Sequence, residues 1–379
     1  MLHGVALGDA LGAPVEKLSA TEIAATYGRV TSLDTPWHRA GEDPAARNYR
    51  IRGNGIVTDD TLMTLALMDV YTTVGGHLDA WDMAGAFVRR IAWEPVWIPE
   101  MEREAPLIDR LFYPEKWIFA RLQLAACDPR QGGVGNMVNC GAAMYAAPIG
   151  VVNAGSPRAA YDEAIAFALG HQQSYGLEAA GVMAACIAAA LAPGAVLADV
   201  IAAAQTLAKD GTGAAIAATV SCAESLRANG VTGIAAAHAL QDAIAPFSPI
   251  GDDVRHGPAK SGVATSAYQP SRLLAIEELP LALAFAVLTG GDFRETIVEG
   301  INSGRDTDSI GVMAGAILGA LHGEVVIDAT DAAILDRANR FDLRAQADVF
   351  THTATAILTH DAEEAKELAA RRRALLNAP

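Results

Sequence analysis

The chain reads as an all-α protein, and three observations carry that reading. Hydrophobic residues fill 51% of its 379 positions, much of that alanine, while aromatics are only 6%; this favours close-packed helices over sheet. Apolar residues recur at helical spacing in one segment after another. Glycines also repeat every four residues in two stretches, at Gly4, Gly8 and Gly12 and again at Gly311, Gly315, Gly319 and Gly323. A glycine inside a helix costs roughly 1 kcal/mol relative to alanine, so such ridges call for a compensating gain, most simply a second backbone in close approach. The two ridged helices are therefore expected to cross glycine face to glycine face.

In order along the chain, Met1 to Leu11 predicts the first helix and Leu18 to Tyr27 a short second one. Thr31 to Gly55 turns irregular, with Pro36, Gly41, Pro44 and Gly53 set among Arg39, Arg47, Arg50 and Arg52; polar loops of this length are usually functional or mobile. Helical periodicity resumes in LMTLALMDVY, directly behind Thr58, Asp59, Asp60 and Thr61, and again from Ala80 to Ile91. Between Trp93 and Arg130, six aromatics alternate with Pro95, Pro99, Pro106 and Pro114, which makes either a local mini-core or the wall of a pocket for a flat ligand. Gln131 to Asn136 is glycine-rich and presents backbone N–H groups that suit a phosphate, although no strand precedes it and the P-loop lysine is missing. Alanine-rich helices follow at roughly 157–170, 174–192, 195–208, 212–228 and 231–245, separated by Pro or Gly. Pro246 to Pro270 predicts a loop. Helices over Leu273 to Thr289, Phe293 to Glu299 and Ile310 to Leu321 come next, then two or more at the C-terminus, the last with a solvated, charged face. No repeat and no linker marks a boundary, so residues 1–379 are expected to form a single domain.

Composition narrows the function. A formal net charge of −16 argues against nucleic acid or anionic membrane as partners, since both require a basic surface. Cys127, Cys140, Cys186 and Cys222 are scattered without a CxxC pair, which predicts reduced thiols and a cytoplasmic setting. The opening MLHGVALGDALGAP has no basic n-region and carries Asp9, so no signal peptide is expected. Ala179 to Ala198, broken by Pro193 and Gly194, reads as two buried helices and not as a membrane span.

Chemistry concentrates at the helix starts. Thr58 is a natural N-cap with Asp59 and Asp60 in the first turn, which capping and the helix dipole explain when that motif is taken alone. Asn302 to Gly323 is different: Asp306, Thr307, Asp308 and Ser309 stand together at one helix mouth, more oxygen than a cap can use. Oxygen-rich clusters of that kind suit Mg2+ or Ca2+.

GVALGDALGAPVE, VTDDTLMTLAL, NCGAAMYAAPIG, the histidine of HQQSYGLEAAG and NSGRDTDSIGVMAGAILGA together resemble the ADP-ribosylglycohydrolase family, in order and over most of the chain. The resemblance implies a compact, orthogonal multi-helix bundle, to which the aromatic-rich segment near 93–130 is expected to be an insertion beyond a minimal family member. It also implies a binuclear Mg2+ or Mn2+ centre held by Thr58, Asp59, Asp60, Asp306, Asp308 and Ser309. The implied reaction is hydrolysis at the anomeric carbon of an ADP-ribosyl group carried by a protein or a small molecule. Glu16 matches a family acid near the metals and is the first choice of base, with Asp60 second; Asp9 is expected to be structural. On the substrate side the resemblance implies Gly135, Asn136 and Met137 at the diphosphate, with Asn139, Gly141, His171 and Gly304 also lining the ligand. Arg39 to Arg52 could assist there.

Two departures bear on the substrate. The family's usual Gly-Asn-Gly reads Asn139-Cys140-Gly141, and its Met-Arg reads Met144-Tyr145, which removes a guanidinium and an amide from anion recognition. A glycosidase acting on a nucleoside-like ribosyl compound is therefore an alternative. From another class, a non-catalytic module binding ADP-ribose or metal is a third reading.

Overall fold

In the computed structural model, which describes residues 1–248 and 274–377, helices form nearly all of the regular structure. In chain order they are α1 (Leu2–Gly12), α2 (Ala20–Tyr27), α3 (Asp59–Val74), α4 (Ala80–Asp82), α5 (Val88–Ala92), α6 (Tyr113–Phe119), α7 (Ala147–Val152), α8 (Pro157–Ala168) and α9 (Ser174–Ala190). The second half adds α10 (Leu197–Leu207), α11 (Asp210–Ala228), α12 (Gly233–Ile244), α13 (Glu278–Thr289), α14 (Phe293–Asn302), α15 (Thr307–His322), α16 (Ala329–Asn339) and α17 (Leu343–Leu376). Helix α15 is the axis of the core, buried from Thr307 to Ala320 and packed on α1, α9, α13 and α14.

The glycine ridges meet as expected, antiparallel and backbone to backbone. A Cβ placed on Gly4 would lie 2.0 Å from the Gly315 carbonyl oxygen, and one on Gly8 2.0 Å from that of Gly311. At the end of the seam, a Cβ on Gly12 would lie 2.5 Å from the Asp308 Cα, and Thr307 Oγ1 donates to the Gly12 carbonyl at 2.8 Å. The close approach therefore fixes the end of α1 against the start of α15.

Elsewhere the elements differ from expectation for identifiable reasons. Two short strands, β1 (Pro95–Ile98) and β2 (Arg103–Pro106), pair antiparallel with Pro95 opposite Pro106. Prolines at both outer ends exclude helix, while Val96, Trp97 and Ile98 favour extended chain. A π-turn at Met83–Phe87 separates α4 from α5, so the helix foreseen from Ala80 to Ile91 is widened in the middle. Helix α10 buries only Val200, Ile201, Ala204 and Leu207, which makes it half-buried where a fully buried helix was expected. The loop foreseen from Pro246 to Pro270 lies, beyond Ser248, outside the described residues. Among the described residues no helix is long and apolar enough to cross a membrane.

The long C-terminal helix α17 is tied to the body partly through one histidine. His77 Nδ1 lies 2.6 Å from Glu163 Oε2 and its Nε2 3.0 Å from Asp361 Oδ2. The hydrogen bond to Glu163 leads the forces that raise His77 from its ordinary 6.5 to about 9, against the opposing effect of burial. A raised histidine contributes its full stability below about pH 6.5 and loses it as pH climbs through about 9. His77→Gln is expected to lower stability by on the order of 1 kcal/mol at pH 6, a value fitting a partly exposed pair. The difference from wild type should vanish by pH 10, as read from urea midpoints at the two pH values.

Candidate active site

Two helix mouths face each other where α1 ends. Asp9, fully buried in α1, caps the start of α3: its Oδ1 and Oδ2 accept from the Thr58 N–H at 3.0 and 2.9 Å, and Oδ2 also accepts from the Thr61 N–H at 3.1 Å and Thr61 Oγ1 at 2.5 Å. The role expected for Asp9 is the one it has. With those donors satisfied by Asp9, the side chains of Asp59 and Asp60 are released from capping duty.

The start of α15 is set by a short backbone zipper. Lys17 N–H donates to the Arg305 carbonyl at 2.8 Å, Arg305 N–H donates to the Leu18 carbonyl at 2.7 Å, and Ser19 bridges Gly304. Gly304 has a φ of +85°, and a Cβ there would lie 2.6 Å from the Ala20 nitrogen. Only glycine fits this crossing. Its effect is to hold Glu16 beside Asp306 and Asp308, so that ligand-type oxygens of all three lie within 4.8 Å of one another. Cys140, Glu278 and Asp306 form a second such group, with Asp306 common to both. Ser309 Oγ donates to Asp60 Oδ1 at 3.1 Å, and Thr58 Oγ1 lies 3.4 Å from Asp60 Oδ2, which joins the α3 mouth to the α15 mouth.

These carboxyls are crowded in a buried place. Burial, followed by the charges of Asp59, Asp9 and Asp306, pushes Asp60 well above the usual carboxylate range. Burial and then Asp308 and Glu278 do the same to Asp306, and burial with Glu16 and Asp60 to Asp308. Glu16 behaves oppositely. Burial works against its charge, yet the Arg52 guanidinium, with Lys17 at its side, holds the Glu16 carboxyl down at about 2. Like charges brought together out of water are unfavourable unless a cation sits among them. Apart from the Cys140 thiol, the donors are carboxylate and hydroxyl oxygens, most of them at two facing helix starts, a set that fits a hard divalent ion better than zinc.

Asp59 stands one step aside, its Oδ1 2.7 Å from Arg110. The substrate-side candidates divide. Of Asn139, Cys140 and Gly141, Cys140 touches the cluster, its Sγ 3.4 Å from Asp306 Oδ2, whereas Asn139 Oδ1 accepts from the Gly141 N–H at 3.1 Å and from Gln172 Nε2 at 2.7 Å. His171 is fully buried, with Nδ1 2.7 Å from the Tyr145 hydroxyl and Nε2 3.4 Å from Glu115. Gly135, Asn136 and Met137 lie on a loop whose N–H groups are in use: Gly135 donates to Gln173 Oε1 at 3.1 Å, Asn136 to the Gly133 carbonyl at 3.0 Å and Met137 to Asn136 Oδ1 at 2.8 Å. Of the loop arginines, Arg39 pairs with Glu42 at the surface, whereas Arg52 is buried against Glu16. Glu100, Arg110 and Glu278 escaped sequence reasoning. Nothing in their local pattern separates them from solvated charges, and only the fold buries them.

A sequence model of the family described as ADP-ribosylglycohydrolase matches residues 1–365. The chain belongs to the ADP-ribosylglycohydrolase family. It is accordingly a glycosidic hydrolase. Among curated proteins it is similar to the uncharacterized protein YegU of Escherichia coli (strain K12), 28% identical over 346 residues that cover 90% of this chain and 92% of that one. Among solved structures it is similar in fold to a chain of an ADP-ribosylglycohydrolase-related protein complex, with a TM-score of 0.55, 21% identity, and coverage of 93% of this chain and 96% of that one.

Proposed function

We propose that this glycosidic hydrolase is metal-dependent and cleaves the bond at the anomeric carbon of an ADP-ribosyl group, with the whole of 1–379 serving as its one domain. The observation that carries this reading is the convergence of Glu16, Asp60, Asp306 and Asp308, all acidic, where α1, α3 and α15 meet. Thr58, Asp59, Asp60, Asp306, Asp308 and Ser309 would hold two Mg2+ or Mn2+ ions. Such ions, when bound, supply the positive charge that fixes ribose hydroxyls and admits an anionic substrate to an acidic protein.

The protein's own groups do the rest. Glu16 is ionised by its pairing with Arg52 and keeps some solvent access, 17% of its side chain. In this reading it accepts the proton of a water attacking an oxocarbenium-like centre. Asp60 is the second choice, tied to Ser309 and deeper in the site.

One observation favours a smaller substrate as the second reading. The Gly135 to Met137 loop has already committed its N–H groups, so a diphosphate would have to displace those bonds. Incubation with Mg2+ and a panel of ADP-ribosylated arginine, ADP-ribosylated serine and simple nucleosides separates the readings. Release of ADP-ribose is the expected result. Release of free base supports the nucleoside-like reading, and binding without turnover overturns both in favour of a non-catalytic module.

A further inference from the structure

Five side chains form a continuous line of charge beside the carboxylate cluster. Glu16 pairs with Arg52; Arg52 Nε donates to Glu100 Oε1 at 2.7 Å; Glu100 Oε2 accepts from Arg110 Nε; and Arg110 reaches Asp59 Oδ1 at 2.7 Å. Arg52 also stands 3.9 Å from Asp308. The two ends of the line are the expected base and an expected ligand. Its centre, Glu100, is fully buried on the turn Pro99–Met101 that joins β1 to β2.

We infer that Glu100 is a positioning residue, through which the hairpin of the 93–130 segment sets Glu16 and Asp59 for cation binding; this rests on the metal-dependent reading above. The geometry shows why it is needed. Each guanidinium is shared between Glu100 and one site carboxylate, so Glu100 takes part of each arginine's hydrogen bonding and charge. Without its charge, two buried guanidiniums would be balanced only by Glu16 and Asp59, and Arg52 would also be drawn to Asp308. The same acids would then be bound tightly to arginine and held back from a cation. Backbone contacts hold the line in place: Arg50 donates to the Arg110 carbonyl at 2.7 Å, and the Ile51 N–H donates to the Glu100 carbonyl at 2.8 Å. The line is thus anchored to the loop before α3 as well as to the hairpin. Outer groups that orient metal ligands typically contribute 10- to 100-fold in affinity.

The test is a Mn2+ titration followed by electron paramagnetic resonance on the full chain, with circular dichroism and the thermal midpoint measured alongside. Glu100→Gln keeps the size and one acceptor oxygen while removing the charge. It is expected to weaken Mn2+ binding about 10- to 100-fold in a folded protein. Glu100→Asp keeps the charge and is expected to recover most of that loss. Arg110→Gln supplies a second route: combined with Glu100→Gln it should cost less than the sum of the two, because both act through one line. A folded Glu100→Gln protein with wild-type Mn2+ affinity overturns the inference, as do strictly additive losses. If Glu100→Gln fails to fold, Arg110→Gln decides, and wild-type Mn2+ affinity in the folded Arg110→Gln protein overturns the inference. Should the wild-type chain itself bind no Mn2+, the metal-dependent reading has failed, a result distinguishable from the others.

Discussion

Replacing Asp306 by asparagine is expected to lower kcat/KM by at least about 10³-fold while raising the thermal midpoint of the protein measured without added metal. The two effects have one origin. Asp306 belongs to both groups of candidate ligand atoms, with Glu16 and Asp308 on one side and Cys140 and Glu278 on the other. Replacing it would take a candidate ligand oxygen from each. A cation acting on a developing charge is worth several kcal/mol, and about 4 kcal/mol corresponds to a factor of 10³. In the metal-free protein, however, burial and then Asp308 and Glu278 oppose the Asp306 charge. A neutral amide of the same shape removes that repulsion, so stability should rise as activity falls. An Asp306→Asn enzyme that is both slower and less stable would mean that the carboxylate is there to hold the fold.

Gly8→Ala is expected to destabilise the chain by about 3 kcal/mol or more, at the upper end of overpacking, or to abolish soluble protein. Alanine is the better helix former by roughly 1 kcal/mol, so propensity alone predicts the opposite sign. Geometry decides. The new methyl would sit 2.0 Å from the Gly311 carbonyl oxygen and 2.6 Å from the Val312 nitrogen, both backbone atoms that no rotamer change can move aside. Separating α1 from α15 would also loosen the contact of Gly12 with Asp308, so any folded fraction should bind metal more weakly. Gly85→Ala is the control, since no heavy atom within 4 Å meets a Cβ there. It should leave urea midpoints unchanged or slightly raised.

What the sequence disclosed and what it hid follow from the range of the forces involved. The glycine seam was legible because a four-residue repeat is a local signal with one economical explanation, and it carried a tertiary contact between residues 4–12 and 308–315 with it. The helix mouths at Thr58 and Asp306 were legible as clusters of oxygen because capping signals are local; that Asp9 caps α3 from α1, 49 residues before Thr58, was not. The hairpin at Pro95–Pro106 was hidden, since its strands are four residues each and its prolines read as loop. Glu100 and Arg110 were hidden for a different reason. A buried ion pair has no sequence period, and its partners here come from Glu16, Arg52 and Asp59, far apart in the chain. Arg52 shows the same limit from the other side: it was noticed as one of a group suited to an anion, but the fold turns it toward Glu16 instead. His171 was picked out by resemblance, and the fold buries it fully against Tyr145 and Glu115.

The central claim, that the facing mouths of α3 and α15 form a cation centre, is tested most directly by titrating the purified chain with Mn2+ and counting bound ions, in parallel for wild type, Asp60→Asn and Asp306→Asn. The account predicts two ions per chain for wild type, displaced by Mg2+, and loss of at least one ion in each variant. No binding to wild type, or binding that neither substitution alters, would contradict it.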